Sequence, residues 1–247
     1  MFNPNPHIQL QDVGGRLPCV VIDNALQDPE SMVEFAARNC NAFVRSPAGT
    51  FPGMELRMSD GFSAHLHDFF LLHARRHFAA RRTLSYFSRL SMVAREPREL
   101  TPLQRVCHRD VLTPDPNQSM FACVLYLFHD PFLGGTSFFR PRKSEKEIDY
   151  LLSRWAGLSD AECTRALNAA PAYPTTTNEF FELVCTVPAA WNRIIFYDSL
   201  IFHTGDITQP HRLVPDPIAG RLTLNGFFVC RPAAATTEHR QTVRSPG

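Results

Sequence analysis

Apolar residues recur along this chain with two different periods, and the change of period divides it. The β-branched run "LPCVVID" from Leu17 predicts a strand. In "DPESMVEFAARNC", Asp28 stands in the cap position, Pro29 at the first helical position, and Met32, Phe35 and Ala36 form an apolar stripe, which predicts a helix. A second helical stretch, "DGFSAHLHDFFLLHARRHFAA", ends in Arg75, Arg76, Arg81 and Arg82, a basic cluster suited to the negative end of a helix dipole and read as a solvated helix end. From Thr83 onward the texture becomes short β-rich runs separated by Pro, Gly and Asp: "TLSYFSRLSMVA", "LQRVCHRD", "FACVLYLF", "GTSFFRPR", "FFELVCTVP", "NRIIFYDS", "FHTGDIT" and "RLTLNGFFV". These strands predict a mainly β fold with flanking helices, a double-sheet jelly roll.

The strand spacing breaks between Arg142 and Tyr173. There "SEKEIDYLLSRW" and "SDAECTRALNAA" each open with a Ser-x-x-Glu capping box and carry helical apolar spacing. Two helices are inserted between strands, either as a lid on the barrel mouth or as packing on an outer face. The expected organisation is one domain over 1–247: strand and helices over about 17–82, a jelly-roll core over about 83–231 with the helical insertion at about 143–172, and a polar, frayed tail at 232–247.

Composition narrows the class. At 247 residues and 44% hydrophobic, the chain has ample apolar surface for one large core. A net charge of +1 provides no general attraction to nucleic acid or to an anionic membrane surface, which leaves a small molecule or a protein as partner. No run approaches the roughly 20 apolar residues of a membrane span, and the start "MFNPNPHIQLQDVGG" lacks a basic region followed by an apolar one, so a soluble, cytoplasmic protein is expected. The seven cysteines are widely spaced, with no close CxxC pair, which favours reduced, buried thiols over a zinc ribbon. An oligomer stays open, since an edge strand or helix face needs no distinctive motif.

The candidate chemistry starts with His108 and Asp110. On a strand, residues two apart emerge on one face and can bind one ion, whereas on a helix they diverge. His203, after the apolar "NRIIFYDSLIF", is positioned to return as a third ligand. Two imidazoles and one carboxylate can cap one face of a ferrous ion and leave the other open, as in non-heme iron oxygenases. Arg221, Thr223 and Asn225 alternate with Leu222 and Leu224, so Arg221 is expected to point into the barrel. A buried arginine near a metal implies a resident anion or else an internal salt bridge to Asp or Glu. Its planar fork suits a carboxylate, to which the Thr223 hydroxyl can add a donor.

Together, "LQRVCHRD", "VLYL" with "GGTSFFRPR", "NRIIFYDSLIFHTGDI" and "DPIAGRLTLNGFF" resemble the 2-oxoglutarate and Fe(II)-dependent oxygenases, specifically a bacterial subgroup with the motifs Q-R-x-x-H-x-D, G-G-T-x-F, N-R-hydrophobic-H-x-G and G-R-L-T. The opening "VVIDNALQDPESMVEFA" and the "FPG" at Phe51 to Gly53 also fit, and the resemblance spans Leu17 to Val229. It implies a double-stranded β-helix core, His108, Asp110 and His203 as iron ligands, and Arg221 on the distal carboxylate of 2-oxoglutarate. It also implies use of O2, release of succinate and carbon dioxide, and, because Asp110 fills the position that halogenating relatives leave open, hydroxylation of an amino acid, a peptidyl or carrier-bound group, or another small metabolite. Many relatives place the cation closer to the second histidine, where Arg212 stands. Arg221 is preferred, because it opens a strand with the R-x-T pattern while Arg212 lies in a proline-bounded loop.

Other side chains point less clearly. Tyr126 in "VLYL" either reaches the co-substrate or faces the core. Arg140 and Arg142 either steady a carboxylated substrate or are ordinary strand-end cations. His65, His67, His73 and His77 lack an acidic or cysteine partner at ligand spacing and are read as helix-surface residues. The competing function is a non-catalytic, cupin-like jelly-roll module with a structural metal, which needs no anion anchor beside it.

Overall fold

The computed structural model describes residues 1–15, 17–46 and 51–232. In chain order its elements are β1 (His7–Gln11), β2 (Cys19–Asp23), α1 (Glu30–Arg38), β3 (Val44–Arg45), β4 (Gly53–Arg57), α2 (Asp60–Phe69), β5 (Ala80–Val93), β6 (Ser119–Tyr126), β7 (Thr136–Pro141), α3 (Glu145–Trp155), α4 (Asp160–Leu167), β8 (Phe181–Val187), β9 (Arg193–Asp198), β10 (Phe202–Gly205) and β11 (Arg221–Pro232). An eight-stranded antiparallel sheet has the order β1-β2-β9-β6-β11-β5-β4-β3, and a three-stranded sheet the order β10-β7-β8. The sheets pack face to face through Tyr126, Phe138, Val187, Ile195, Tyr197 and Phe227. The core strands are shared between the two sheets as in a jelly roll, with β5, β6, β9 and β11 in one and β7, β8 and β10 in the other.

The segment "LQRVCHRD", expected as a strand, is reduced to one antiparallel bridge between His108 and His203. Ahead of it the chain forms a 3-10 turn over Pro102–Arg105, and the buried Arg105 guanidinium binds Leu100 O, the Asp160 carboxylate and the Thr164 hydroxyl. Beyond Asp110 the backbone turns at Asp115 to Gln118. With both flanks committed elsewhere, only one residue pair is left for the ladder. The small sheet is therefore a strand short beside β10.

Alternation along the strands separates two environments. Leu222, Leu224 and Phe228 of β11 face the N-terminal helices and join Leu66, Phe69, Phe70 and Phe78 in a dry aromatic layer. The Phe70 and Phe228 rings stack at 4.2 Å. On the small sheet, Phe139, Phe181 and Phe202 turn outward against Ile148 and Trp155 of α3. Both helices of the insertion begin with complete capping boxes, Ser144 with Glu147 and Ser159 with Glu162. The insertion thus packs on an outer face.

Three local expectations change. Pro29 has helical angles and the Asp28 carboxylate accepts from the Ser31 N–H at 3.0 Å, but Ala36, flanked by Met32 and Val33, is the inward residue of α1, and Phe35 is 39% exposed. After α2 the chain continues through a π turn, Phe70–Ala74, which inserts a residue into the helical repeat and turns His73 inward against Phe69, ring centroids 4.7 Å apart. His67 is likewise half-buried, stacked on Tyr86, so the histidine series is not wholly on the surface. Finally, β1 and β4 extend the large sheet although neither stands out by hydrophobic alternation. Gly53 opens β4 because a Cβ there would lie 1.8 Å from Met92 O. Pro232, the first residue of the expected tail, still belongs to β11, and the rest of that tail lies outside the described residues. All seven cysteines are unpaired, five of them buried. No described helix is long and apolar enough to cross a membrane.

Candidate metal centre

The bridge at His108 explains how residues so far apart in sequence meet. His108 and His203 exchange both backbone hydrogen bonds, at 3.0 and 2.9 Å, so they stand directly opposite and present their rings to one face, with centroids 4.5 Å apart. Asp110 reaches the same face, held by its backbone rather than by a strand. Its N–H donates to Ser199 O at 2.9 Å and its carbonyl accepts from Ser199 Oγ at 2.8 Å. His108 Nε2 is 3.7 Å from Asp110 Oδ1 and His203 Nε2 is 3.4 Å from Oδ2. The three donor atoms lie within 4.8 Å of one another. Two ligands about 2.1 Å from one ion and at right angles stand about 3 Å apart, so this corner closes on an ion with small side-chain movements.

The protonation states suit a cation. Burial, with the nearby His203, pushes the His108 imidazole down to about 4. Burial acts upward on the Asp110 carboxyl, but the hydrogen bond from His203 and the two imidazoles outweigh it and hold the group at about 2. A neutral imidazole and an ionised carboxylate are the ligating forms. Without an ion the hydrogen bond to Asp110 is donated by His203 Nε2; His203 Nδ1 lies 2.9 Å from Ile201 O, so a proton carried there instead would free the Nε2 lone pair for a metal.

The triad lines a cavity of about 100 Å³, whose other wall includes Arg221, Thr223, Asn225 and Phe227 of β11. Arg221 is 5% exposed, and its guanidinium is fastened by carbonyls: Nε donates to Leu133 O at 2.9 Å and Gly134 O at 3.2 Å, and Nη2 to Gly135 O at 2.9 Å. The two glycines make this loop possible. Gly134 has φ +82°, a Cβ on it would lie 1.9 Å from Asp206 O, and one on Gly135 would lie 2.0 Å from Val187 O. Carbonyls orient the cation without neutralising it, and among the described residues no Asp or Glu forms an ion pair with Arg221. Burial accordingly lowers the guanidinium's proton affinity. A buried cation in a cavity, with no carboxylate in an ion pair, has the chemistry to accept an anion.

The other expected residues separate. Thr223 lines the cavity, its hydroxyl 3.4 Å from Ser91 O. Tyr126 is fully buried behind the wall and shares a 2.8 Å hydrogen bond with Thr136, which does line it. Arg212 is bound to Asp130 at 2.9 and 2.6 Å and covers the Phe132 ring, away from the cavity. Arg140 and Arg142, expected near a substrate, are not part of the lining. Arg140 faces Glu182 across the β7–β8 ladder at 3.6 Å, and Arg142 donates to Asn178 O, both satisfied by strand-end partners. Sequence reasoning missed Arg89, Tyr173 and Tyr197, which line the cavity. Arg89 carried a usable signal, because it alternates with Leu90 and Met92 as Arg221 does with Leu222 and Leu224.

The same chain segment answers to a known sequence family. A family of unknown function (DUF6445) matches residues 4–228. The chain belongs to that family. No curated protein matches this DUF6445 chain. Among solved structures, a prolyl-4-hydroxylase of Pseudomonas putida is similar at 12% identity over 87% of this chain and 94% of that one, with a TM-score of 0.45. HygX from Streptomyces hygroscopicus, with nickel and 2-oxoglutarate bound, is similar at 12% identity over 91% and 90%, TM-score 0.44. An N-substituted L-amino acid dioxygenase from Burkholderia ambifaria AMMD is similar at 11% identity over 92% and 95%, TM-score 0.40. Likeness at this level does not extend to chemistry, which the residues of this chain must carry.

Proposed function

We propose that this DUF6445 chain, as one domain, is an Fe(II)- and 2-oxoglutarate-dependent dioxygenase that hydroxylates an amino acid, a peptide-type group or another small metabolite. The observation that carries this reading is a two-histidine, one-carboxylate corner in the same cavity as a buried arginine without a carboxylate partner. His108, Asp110 and His203 would hold the metal on one side only, and Arg221 with Thr223 would hold the distal carboxylate of the co-substrate. Bound there, iron and 2-oxoglutarate would couple the four-electron reduction of O2 to oxidation of a substrate C–H bond, one oxygen atom entering the substrate and the other the succinate left when the keto acid loses CO2.

The chain's own contribution is orientation. Ile201 O fixes the His203 ring, Ser199 fixes the Asp110 backbone, and the carbonyls of Leu133, Gly134 and Gly135 aim Arg221 before any ligand arrives. The Tyr126 to Thr136 hydrogen bond stiffens the wall beside it. Asp110 occupies the third protein position, which favours hydroxylation over halogenation.

A structural metal in a non-catalytic jelly roll would have no use for an anion anchor. Adding Fe(II) and 2-oxoglutarate to the protein without oxygen tests the two readings. A weak visible charge-transfer band, followed by succinate on admission of air, is expected. Neither signal in a folded, iron-loaded protein would leave only the binding module.

A further inference from the structure

A second arginine lines the cavity, and its surroundings differ from those of Arg221. Register places Arg221 opposite Val93 and Asn225 opposite Arg89 in the β11–β5 ladder. The two cations are thus four residues apart along neighbouring strands, about 13 Å at roughly 3.3 Å per residue. Both share the cavity with the metal-ligating corner. A co-substrate held at Arg221 leaves Arg89 for something else.

Arg89 is incompletely bonded. Its Nη1 meets the Glu55 carboxylate of β4 at 3.1 and 3.2 Å, its guanidinium lies over the Phe227 ring at 4.8 Å, and its Nε is shut from solvent with no hydrogen-bond partner. Glu55, 6% exposed, takes one side of the fork and balances the single charge of the guanidinium, so what Arg89 still offers is unpaired donor capacity at Nε. A planar carboxylate matches the free side of a fork, whereas a dianion such as a phosphate ester would bring more charge against Glu55 and Asp110. Phe227, whose ring the guanidinium covers, also lines the cavity and offers apolar surface beside Arg89. We infer that Arg89 is a specificity-determining residue that binds a carboxylate of the substrate, whose apolar portion lies against Phe227. This assignment rests on the oxygenase reading of the cavity.

The test uses phenylacetate as probe and phenylacetamide and phenyl phosphate as controls, titrated calorimetrically into the full chain loaded with Zn(II) and 2-oxoglutarate. Phenylacetate is expected to saturate one site in the millimolar range, with each control weaker by about tenfold or more. Arg89→Gln should weaken phenylacetate by about tenfold or more, and Arg89→Lys, which keeps charge but not the fork, by less. Glu55→Gln should tighten it, because it removes the competitor for the guanidinium while preserving shape. A merely structural ion pair predicts otherwise, since breaking it from either side would then weaken the probe alike. That outcome, equal affinities for acid and amide, tighter binding of the phosphate, or an Arg89→Gln protein that melts normally and binds phenylacetate as well as the unaltered chain, would overturn the assignment. Failure of the oxygenase reading is separate: the unaltered protein would show no 2-oxoglutarate binding, and the same titrations on metal-free protein would still decide Arg89.

Discussion

On β11, Leu222, Leu224 and Phe228 turn toward the helices, while Arg221, Thr223, Asn225 and Phe227 turn toward the small sheet. One face is sealed by α2 and the turns that follow it, Phe70–Ala74 and Arg75–Phe78, and is mostly apolar, with the Ser63–Ser88 hydroxyl pair and His73 among its few buried polar groups. The other keeps a cavity lined by two arginines, a carboxylate and two imidazoles. The two regions share a backbone and differ in what covers them. Helices that close on a sheet bring a continuous apolar stripe. The small sheet lacks a full strand beside β10, and a polar cavity stands there. Stability is therefore expected to come mainly from the outer face, while the inner face accepts buried polar groups that contribute little to stability and serve ligands.

The sharpest way to break this contrast is at His203. His203→Ala should abolish metal binding and the anaerobic band together while leaving the urea midpoint of the metal-free protein nearly unchanged; a large loss of stability would mean that the inner face is structural. On the outer face, Phe70→Ala removes a fully buried ring and should cost about 3–5 kcal/mol in equilibrium unfolding, with the band retained in the protein that stays folded. Arg221→Met should raise the 2-oxoglutarate concentration needed for succinate formation by roughly a hundredfold, about 2–3 kcal/mol, without a matching change in iron demand. Its ligand-free stability should be equal or higher, because a buried cation without a carboxylate is replaced by an apolar chain. The smallest effect belongs to Arg212→Ala, which should cost at most about 1 kcal/mol of stability and leave 2-oxoglutarate demand unchanged. A rise in that demand would transfer the anchor from Arg221 to Arg212.

Much of this contrast was legible in order along the chain. The alternation Arg221, Thr223, Asn225 against Leu222, Leu224 is a local consequence of the pleat, and capping boxes at Ser144 and Ser159 announced α3 and α4 correctly. The glycines of "GGT" could be seen as a motif, but their purpose could not, since Val187 at the end of β8 and Asp206 just after β10, whose carbonyls exclude a Cβ, are distant in sequence. The same limit applies to Arg140 and Arg142. Their types suit a substrate, yet cross-strand Glu182 and the carbonyl of Asn178 claim them first. His73 went inward because a π turn shifts the helical phase, which periodicity assumes constant.

By itself the sequence determined which side chains are candidates for a metal and an anion, the face that Arg221 and Thr223 take on β11 and the strength of the helix starts, because these depend on neighbours a few residues away. Tertiary structure alone decided that His108 sits opposite His203 without a strand to hold it, that Ser199 positions Asp110, that the inserted helices cover an outer face, and that Arg221 and Arg89 occupy two ends of one cavity. Each of these depends on which distant segment arrives alongside. That is set by the packing of whole sheets and by backbone hydrogen bonds whose partners no local pattern specifies.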